Sequence, residues 1–341
     1  MGTMHPDGFH GHRQLKRAAS GGRVRRSYFE GWYVKLINAD RTHRIAVIPG
    51  VFLAEDGSIL EAFVQVLDGD AGTTAYHRYE VSDFHADPHR LDVQVGPNHF
   101  GEGGVHLELP DLVGDVRFGP LARWPVTRRE PGAMGWYAWV PTMECYHGVV
   151  SLDHSLSGVV RRHGRTIDFV DGRGYIEKDW GNAFPAAYVW MQSNHFDDEG
   201  VSLVASTALI PWRRSTFRGD LVALRLPPSF GPVAGLHRFT TYTRARTTRL
   251  EVTEEEVGWT LTAPHGRRLE LHGVTGGVGA GLLHAPVRTQ MHQRVAETLG
   301  GHVDVRLVDK DGSDLFSGRG RAAGIEVHGL IDRLLATPGK S

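Results

Sequence analysis

The chain has 341 residues, a formal net charge of −1 and 40% hydrophobic residues, so it can form one large or two ordinary domains with a substantial core. A nearly neutral chain has no global field that draws it to nucleic acid or to an anionic membrane. The single cysteine, Cys145, excludes an internal disulfide framework. No apolar run approaches the ~20 residues that span a bilayer, and the polar N-terminus lacks a signal-peptide core. We therefore expect a cytoplasmic protein, with peripheral membrane contact and the oligomeric state left open.

Residues 1–27 are basic and rich in glycine, and they predict an N-terminal arm that is either mobile or draped over the protein, or that closes one end of a barrel. The first strand is expected at 28–37, where Glu30 and Trp32 share one face. Tyr33 and Lys35 share the other face. A carboxylate among aromatic residues is expected to be enclosed, which raises its pKa unless it is paired.

Short runs of alternating apolar residues follow, separated by turns rich in Gly, Pro, Asp and Asn. They lie at 43–67 (a hairpin), 76–84, 91–95, 104–109 and 113–118. This meander is typical of an up-and-down β-barrel. Together with the later strands it predicts an all-β protein with few short helices, made of an arm (1–27), a first barrel (28–160) and a second barrel (161–341). The best helix candidates are near 289–299 and 328–336.

Two stretches place polar side chains in strand patterns. In 142–160, Glu144 and Tyr146 share one face, and Cys145 and His147 share the other. The stretch 174–196 is predicted to deliver Glu177 and Asp179 to one end of a long strand. That strand carries Trp190, Gln192, Asn194 and His195, a composition that fits the lining of a ligand cavity. A glycine-rich segment at 276–281 is interpreted as a flexible loop, with a lid as one role.

The chemistry of these residues leaves two hypotheses open. An enclosed carboxyl keeps its proton near neutral pH and can act as a general acid, and aromatic faces can stabilise a carbocation. Protonation of an alkene in an aromatic pocket fits this inventory, and so does passive binding of a lipophilic molecule. No spacing of Cys and His predicts a metal site, and no nucleotide-binding loop is present. A short basic run at 244–249 is the only hint of a nucleic-acid surface, and a solvated strand explains it better.

Four motifs carry a resemblance to a known family. They are FEGWYVK (29–35), GWYAWVPTMECYHGV (135–149), GYIEKDWG (174–181) and WMQSNHF (190–196). These motifs resemble the tocopherol cyclase family, and the chain is more distantly similar to carotenoid 1,2-hydratases. The resemblance implies tandem lipocalin-like (calycin-like) antiparallel β-barrels and a lipophilic small-molecule substrate such as a prenylated quinol or another isoprenoid. It also implies protonation of a prenyl alkene and closure of a chromanol-type ring, or addition of water in the hydratases, without a cofactor.

Roles follow for the residues singled out above. Asp179 or Glu177 is the expected general acid, with Glu144 and Glu30 as rivals and His147 as a base. The expected substrate-binding residues are Trp32, Tyr33, Tyr146, Trp180, Trp190, Gln192, Asn194 and His195. Lys178, between the two main acid candidates, is expected to keep one of them ionised.

Overall fold

The structure, a computed structural model, describes residues 7–212, 214–276 and 280–339, and these form two large antiparallel sheets. The all-β class with few short helices is confirmed. The first sheet contains β1 (Tyr28–Ile37), β2 (Arg44–Leu53), β3 (Leu60–Asp68), β4 (Thr73–Glu80), β5 (Phe84–Ala86), β6 (Asp92–Val95), β7 (Asn98–Gly101), β8 (Gly104–Leu109), β9 (Leu112–Phe118), β10 (Cys145–Arg162), β11 (Arg165–Asp168) and β12 (Gly172–Gly181).

The second sheet is formed by the rest of the chain. It contains β13 (Ala187–Ser193), β14 (Ser202–Trp212), β15 (Ser215–Leu226), β16 (Gly235–Thr240), β17 (Arg246–Val252), β18 (Glu256–Thr262), β19 (Arg268–Val274), β20 (Gly281–Pro286), β21 (Met291–Val308) and β22 (Asp314–Gly329). The described residues also form two short α-helices, α1 (His12–Ala19) and α2 (Ile331–Ala336). Neither these nor any other helix of the described residues has the length and hydropathy to cross a bilayer.

Strand order explains how the first sheet encloses a core. Most neighbours are consecutive along the chain, but β12 inserts between β1 and β10. The outermost strands, β4 and β5, are joined by the short 3₁₀ turn Val81–Asp83, and β6 contacts β2 and β3. The sheet therefore curls around apolar side chains such as Val34, Val47 and Phe100.

The chain divides into two compact units, and their boundary differs from the expected division at residue 160. The first unit holds the described residues up to Gly69, then Thr73–Phe184 and Leu282–Arg294. The second holds Asp70–Gly72 and the described residues of Pro185–Gly281 and Val295–Ser341. The boundary follows Phe184 because β10 continues through residue 160 and β12 pairs with both β1 and β10. The stretch 174–196 is thus two strands in two different sheets.

A hairpin from late in the chain belongs to the first unit. Residues Leu282–Arg294 cover β20 and the start of β21. The backbone N–H of His284 donates to Gln65 Oε1 (2.6 Å), and the His284 ring lies 4.5 Å from that of Tyr76. Met291 packs against a cluster that contains Phe29 and Phe52. The helix expected near 289–299 is wrong, since residues 291–299 lie in β21, whereas the C-terminal helix is confirmed by α2. The proposed glycine-rich lid falls partly outside the described residues, at 277–279.

The N-terminal arm packs on the first unit. Phe9 and Leu15 are buried in its core, and the Trp32 indole N–H donates to the carbonyl of Asp7 (3.2 Å). The described residues 7–27 therefore pack on the first unit, as either a draped or a closing arm would.

A buried ion pair fastens this arm. Glu30 and Lys178 are both fully buried, with Glu30 Oε1 2.5 Å from Lys178 Nζ. The backbone N–H groups of His10 and Gly11 donate to the same carboxylate, each at 3.0 Å, and Lys178 donates to the carbonyl of Gly8. The Tyr28 hydroxyl is a further donor to Glu30. Each charge is therefore surrounded by donors or acceptors, as a buried ion pair requires.

The pair makes Lys178 a sensitive position for folding. Replacement of Lys178 by Met removes the ammonium and leaves a buried carboxylate, which we expect to lower the free energy of unfolding by about 3–5 kcal/mol. Chemical denaturation measures this change. Lys310→Met, the same substitution at an exposed lysine, is the control and should change stability little. Equal stability of Lys178→Met and the parent would contradict the anchoring role.

Candidate active site

The central strand β12 presents different chemistry on its two faces. Antiparallel pairing sets His147 of β10 opposite Asp179, and Trp32 of β1 opposite Lys178. Because successive side chains of a strand alternate, Glu177 and Asp179 lie on the His147 side and Lys178 on the other side. Lys178 was expected to keep Glu177 or Asp179 ionised. It lies on the other face instead and forms an ion pair with Glu30.

Three residues form a compact group that we call the His147 cluster: His147, Glu177 and Asp179. His147 Nδ1 lies 2.9 Å from Asp179 Oδ1, and His147 Nε2 lies 3.5 Å from Glu177 Oε2. The Tyr175 hydroxyl donates to the same oxygen of Glu177 at 2.6 Å. Each ring nitrogen thus faces its own carboxylate.

The two neighbouring carboxyl groups determine the charge of the His147 imidazole. Burial by itself lowers the pKa of His147, but the charges of Asp179 and Glu177 and the bond to Asp179 outweigh burial and raise it to about 9. His147 is therefore an imidazolium at neutral pH. Burial, followed by the charge of Glu177, raises the pKa of Tyr175 well above its ordinary value, so this phenol stays a donor.

The members of the cluster differ in access to solvent. The side chain of Asp179 is 26% exposed, against 16% for His147 and 7% for Glu177. Asp179 is therefore the carboxylate that an incoming molecule can reach, while Glu177 acts on the imidazole from the buried side.

Glu144 lies beside this cluster, just before β10. Gly181 has a φ of 151°, and a Cβ there would lie 2.3 Å from the Glu144 carbonyl oxygen, so only glycine allows this approach. That carbonyl accepts from the backbone N–H of Asn182 (2.8 Å). Burial raises the pKa of the Glu144 carboxyl, and Arg288 partly opposes the shift. The next residue, Cys145, has its sulfur 3.9 Å from Asp179 Oδ1, and burial followed by that charge keeps the thiol protonated.

Three of the aromatic residues expected to bind substrate, Trp32, Tyr146 and Trp180, lie on the opposite face of the sheet, around Lys178. The Lys178 ammonium is 4.8 Å from the ring centroids of both Trp32 and Trp180. Tyr146 and His10 stack on Trp180, at 5.4 Å and 4.5 Å. These rings already contact a protein cation and each other, so they support the buried ion pair. Glu30 is ionised there: burial acts to raise its pKa, but Lys178 and His10 together lower it to about 2.

Tyr33 is the expected binding residue that shares a face with the acids. It lies opposite Glu177 in the β1–β12 register and is buried. The remaining four belong to β13 of the second unit and the residues after it. All four are buried: Trp190, Gln192, Asn194 and His195. A Cβ on Gly324 would lie 2.6 Å from the Trp190 ring, and the carbonyl of His195 accepts from the backbone N–H of Arg321 (2.9 Å).

Among the described residues, the His147 cluster is also a group that could hold a metal ion, since its nitrogen and oxygen ligand atoms lie within 4.8 Å of one another. The expectation of no metal site used spacing along the chain, which does not reveal residues paired across strands. The arrangement suits a cationic imidazole between two acceptors better than a ligand set, because both ring nitrogens face carboxylates.

Sequence reasoning missed two contributors. His10 and Tyr28 bind Glu30 directly, yet neither was singled out. The alternation of β1 places Tyr28 on the face of Glu30, so that signal was available. Nothing in the local sequence around His10 indicates its partner.

A family model described as tocopherol cyclase-like matches residues 114–329, more than half of the chain. Over 93 residues, the chain is 29% identical to the chloroplastic tocopherol cyclase of Zea mays and to a protein of Oryza sativa subsp. japonica described as "Probable tocopherol cyclase, chloroplastic". Each alignment covers 26% of this chain and 20% of the relative, so the chain spans about a fifth of the curated relatives that it matches.

Similarity to a solved structure supports the fold alone. The chain matches the crystal structure of CghA with Sch210972 at 13% identity and a TM-score of 0.50, with 89% of each chain covered. At this identity the match indicates a shared architecture and carries no information about the ligand of this chain.

The raised pKa of His147 links the stability of the protein to pH. The cluster stabilises the fold fully below the ordinary histidine value of 6.5, and this contribution is lost as pH rises through about 9. His147→Gln lacks this pH-dependent contribution. We therefore expect the difference in free energy of unfolding between the parent and His147→Gln to shrink as the pH rises from 6.5 to about 9. Denaturant unfolding at several pH values measures it. His85→Gln, at an exposed histidine, is the control and should keep the parent profile. A parent profile retained in His147→Gln would contradict the assignment.

Proposed function

Because the chain belongs to the tocopherol cyclase-like family, we propose that it catalyses acid-driven, cofactor-independent cyclisation of a prenylated quinol or related isoprenoid. The observation that carries the proposal is the His147 cluster, in which a reachable carboxyl contacts a buried imidazolium. Such a pair suits alkene protonation, since the cation stabilises the carboxylate that remains after proton transfer.

Asp179 is the proposed general acid. The His147 cluster has two carboxyl groups for one imidazolium, so it can take up one further proton. When Asp179 carries that proton, its carboxyl group transfers it to the less substituted carbon of a trisubstituted prenyl alkene, and the other carbon becomes a tertiary cation. His147, which donates through Nδ1 to Asp179 Oδ1, offsets the negative charge that develops. Glu177 holds His147 in its charged form, and Tyr175 in turn holds Glu177.

Ring closure completes the reaction without a co-reactant. The phenol oxygen of the quinol attacks the tertiary cation, a C–O bond forms, and the phenolic proton returns to Asp179. The product is an isomer of the substrate, so protons and electrons balance. Capture of the same cation by water would make the enzyme a hydratase, and only the nucleophile would differ.

Glu144 is the rival acid. Burial raises the pKa of its carboxyl, so it keeps a proton to higher pH than an exposed glutamate. Glu30 is a weaker candidate, because its pKa of about 2 leaves no proton to donate near neutral pH. Glu177 contacts His147 from the less exposed side, so Asp179 and Glu144 are the two candidates that substitution separates.

The test is incubation with 2-methyl-6-phytyl-quinol in deuterated water. We expect one deuterium per turnover at the prenyl carbon that accepts the proton, detected by mass spectrometry and NMR of the ring-closed product. Treatment with a chelator should leave turnover unchanged. Saturable binding with no turnover of any prenylated quinol or linear carotenoid would instead favour a lipophile-binding protein, the alternative from the sequence.

Substitutions assign the acid. Asp179→Asn should lower kcat by at least about 100-fold, the contribution of a general acid, with little change in substrate binding. His147→Gln should lower kcat and shift the pH profile, because the carboxylate loses its cationic neighbour. The matched control is Asp171→Asn, at an exposed turn residue whose positive φ asparagine also adopts. Retained activity in Asp179→Asn with loss in Glu144→Gln would transfer the role to Glu144.

A further inference from the structure

The second unit contains a cavity that the proposed reaction does not use. Its volume is about 340 Å³, and it lies between β16, the turn Thr241–Thr243 and the loop that joins β18 to β19. One part of its wall is apolar and is formed by Leu236, Phe239, Ala263 and Pro264. A cavity of this size can hold the greater part of a small organic molecule.

The rest of the wall is basic. Arg238, His265 and Arg267 line it together with His237, and none of the described residues that line it is acidic. The basic run at 244–249 begins directly after Thr243, another lining residue, and this run contains no acidic residue. The composition favours an anion with an apolar part.

Arg267 is the residue best prepared to receive that anion. Its guanidinium is about a quarter exposed, with Nη2 3.4 Å from Asp309 Oδ1, a long contact that only partly offsets the positive charge. Its Nε is buried and has no hydrogen-bond partner among the described residues. A buried N–H donor without a partner is unfavourable, so a ligand that accepts from it gains affinity.

His237 orients this guanidinium. Its Nε2 donates to the carbonyl of Val233 (2.8 Å), which leaves Nδ1 as an acceptor 3.3 Å from Arg267 Nη1. Burial lowers the pKa of His237, and the nearby charge of Arg267 acts in the same direction against the bond to Val233. A neutral imidazole therefore fixes one end of the guanidinium without competing for an anion.

We propose that this cavity binds a small amphipathic carboxylate, with its carboxylate on Arg267 and Arg238 and its apolar part against Leu236 and Phe239. Arginine matches a carboxylate with two parallel N–H donors, and Nε is one of the donors available for that arrangement. A monoanion fits better than a phosphate because Asp309 already offsets part of the charge and nearly half of the wall is apolar. The site is independent of the proposed cyclase reaction.

Calorimetry of the full chain with octanoate tests the proposal, with 1-octanol as the uncharged probe of equal length and inorganic phosphate as the anion without an apolar part. We expect saturable octanoate binding in the millimolar range or tighter, and weaker binding of the other two. Arg267→Gln should weaken octanoate binding about tenfold or more, the effect of losing a charged hydrogen-bond donor. Arg267→Lys, which keeps the charge and loses the planar fork, should lie between. Arg249→Gln, at an exposed arginine paired with Glu251, is the control and should bind like the parent.

NMR of the parent keeps the test independent of how the variants fold. The Arg267 Nε–H resonance should shift on addition of octanoate. An unshifted resonance, equal binding of octanoate by the parent and Arg267→Gln, or octanol binding as tight as octanoate would each overturn the proposal. Tighter binding of phosphate than of octanoate would overturn the carboxylate assignment.

Discussion

The ion pair between Glu30 and Lys178 is the contact on which the first unit depends. It joins β1 to β12 across the sheet register and fixes the N-terminal arm through the backbone of Gly8, His10 and Gly11. Two buried charges are costly to remove from water, and the cost is offset only because nearly every donor and acceptor around them is used. The ammonium of this pair also lies over the rings of Trp32 and Trp180, so both aromatic faces already contact a protein cation.

One strand thereby separates a structural face from a chemical face. On the structural face of β12, charges are paired one to one and are fully buried. On the chemical face, a single imidazolium serves two carboxylates, and the group stays partly accessible through Asp179. The His147 cluster thus has two carboxyl groups for one imidazole, and the titrations of these interacting groups are coupled. The alternation of a β-strand is sufficient to keep the two arrangements apart.

Local patterns predicted much of this arrangement, and long-range pairing explains what they missed. Alternation correctly placed Glu30 with Trp32, and Cys145 with His147, because side-chain direction along a strand depends only on neighbouring residues. The partner of Lys178 lies 148 positions earlier and depends on β12 entering beside β1, which no local pattern encodes. The expected division at residue 160 differed from the boundary at Phe184 for the same reason, since β12 is a late strand of the first sheet. Spacing along the chain likewise could not show that His147 and Asp179 are opposite each other.

The hairpin Leu282–Arg294 has a consequence for the order of events during synthesis. It supplies hydrogen bonds to Gln65 and a methionine to the Phe29 and Phe52 cluster, so the first unit contains residues made long after Phe184. Domains usually fold from the N-terminus while the ribosome is still translating. Here the first unit is complete only after β13 to β20 of the second sheet have been translated, and until then the surface that binds the hairpin is uncovered. A chaperone that shields apolar surface would therefore be needed longest on this unit, from the time β12 leaves the ribosome until the start of β21 does.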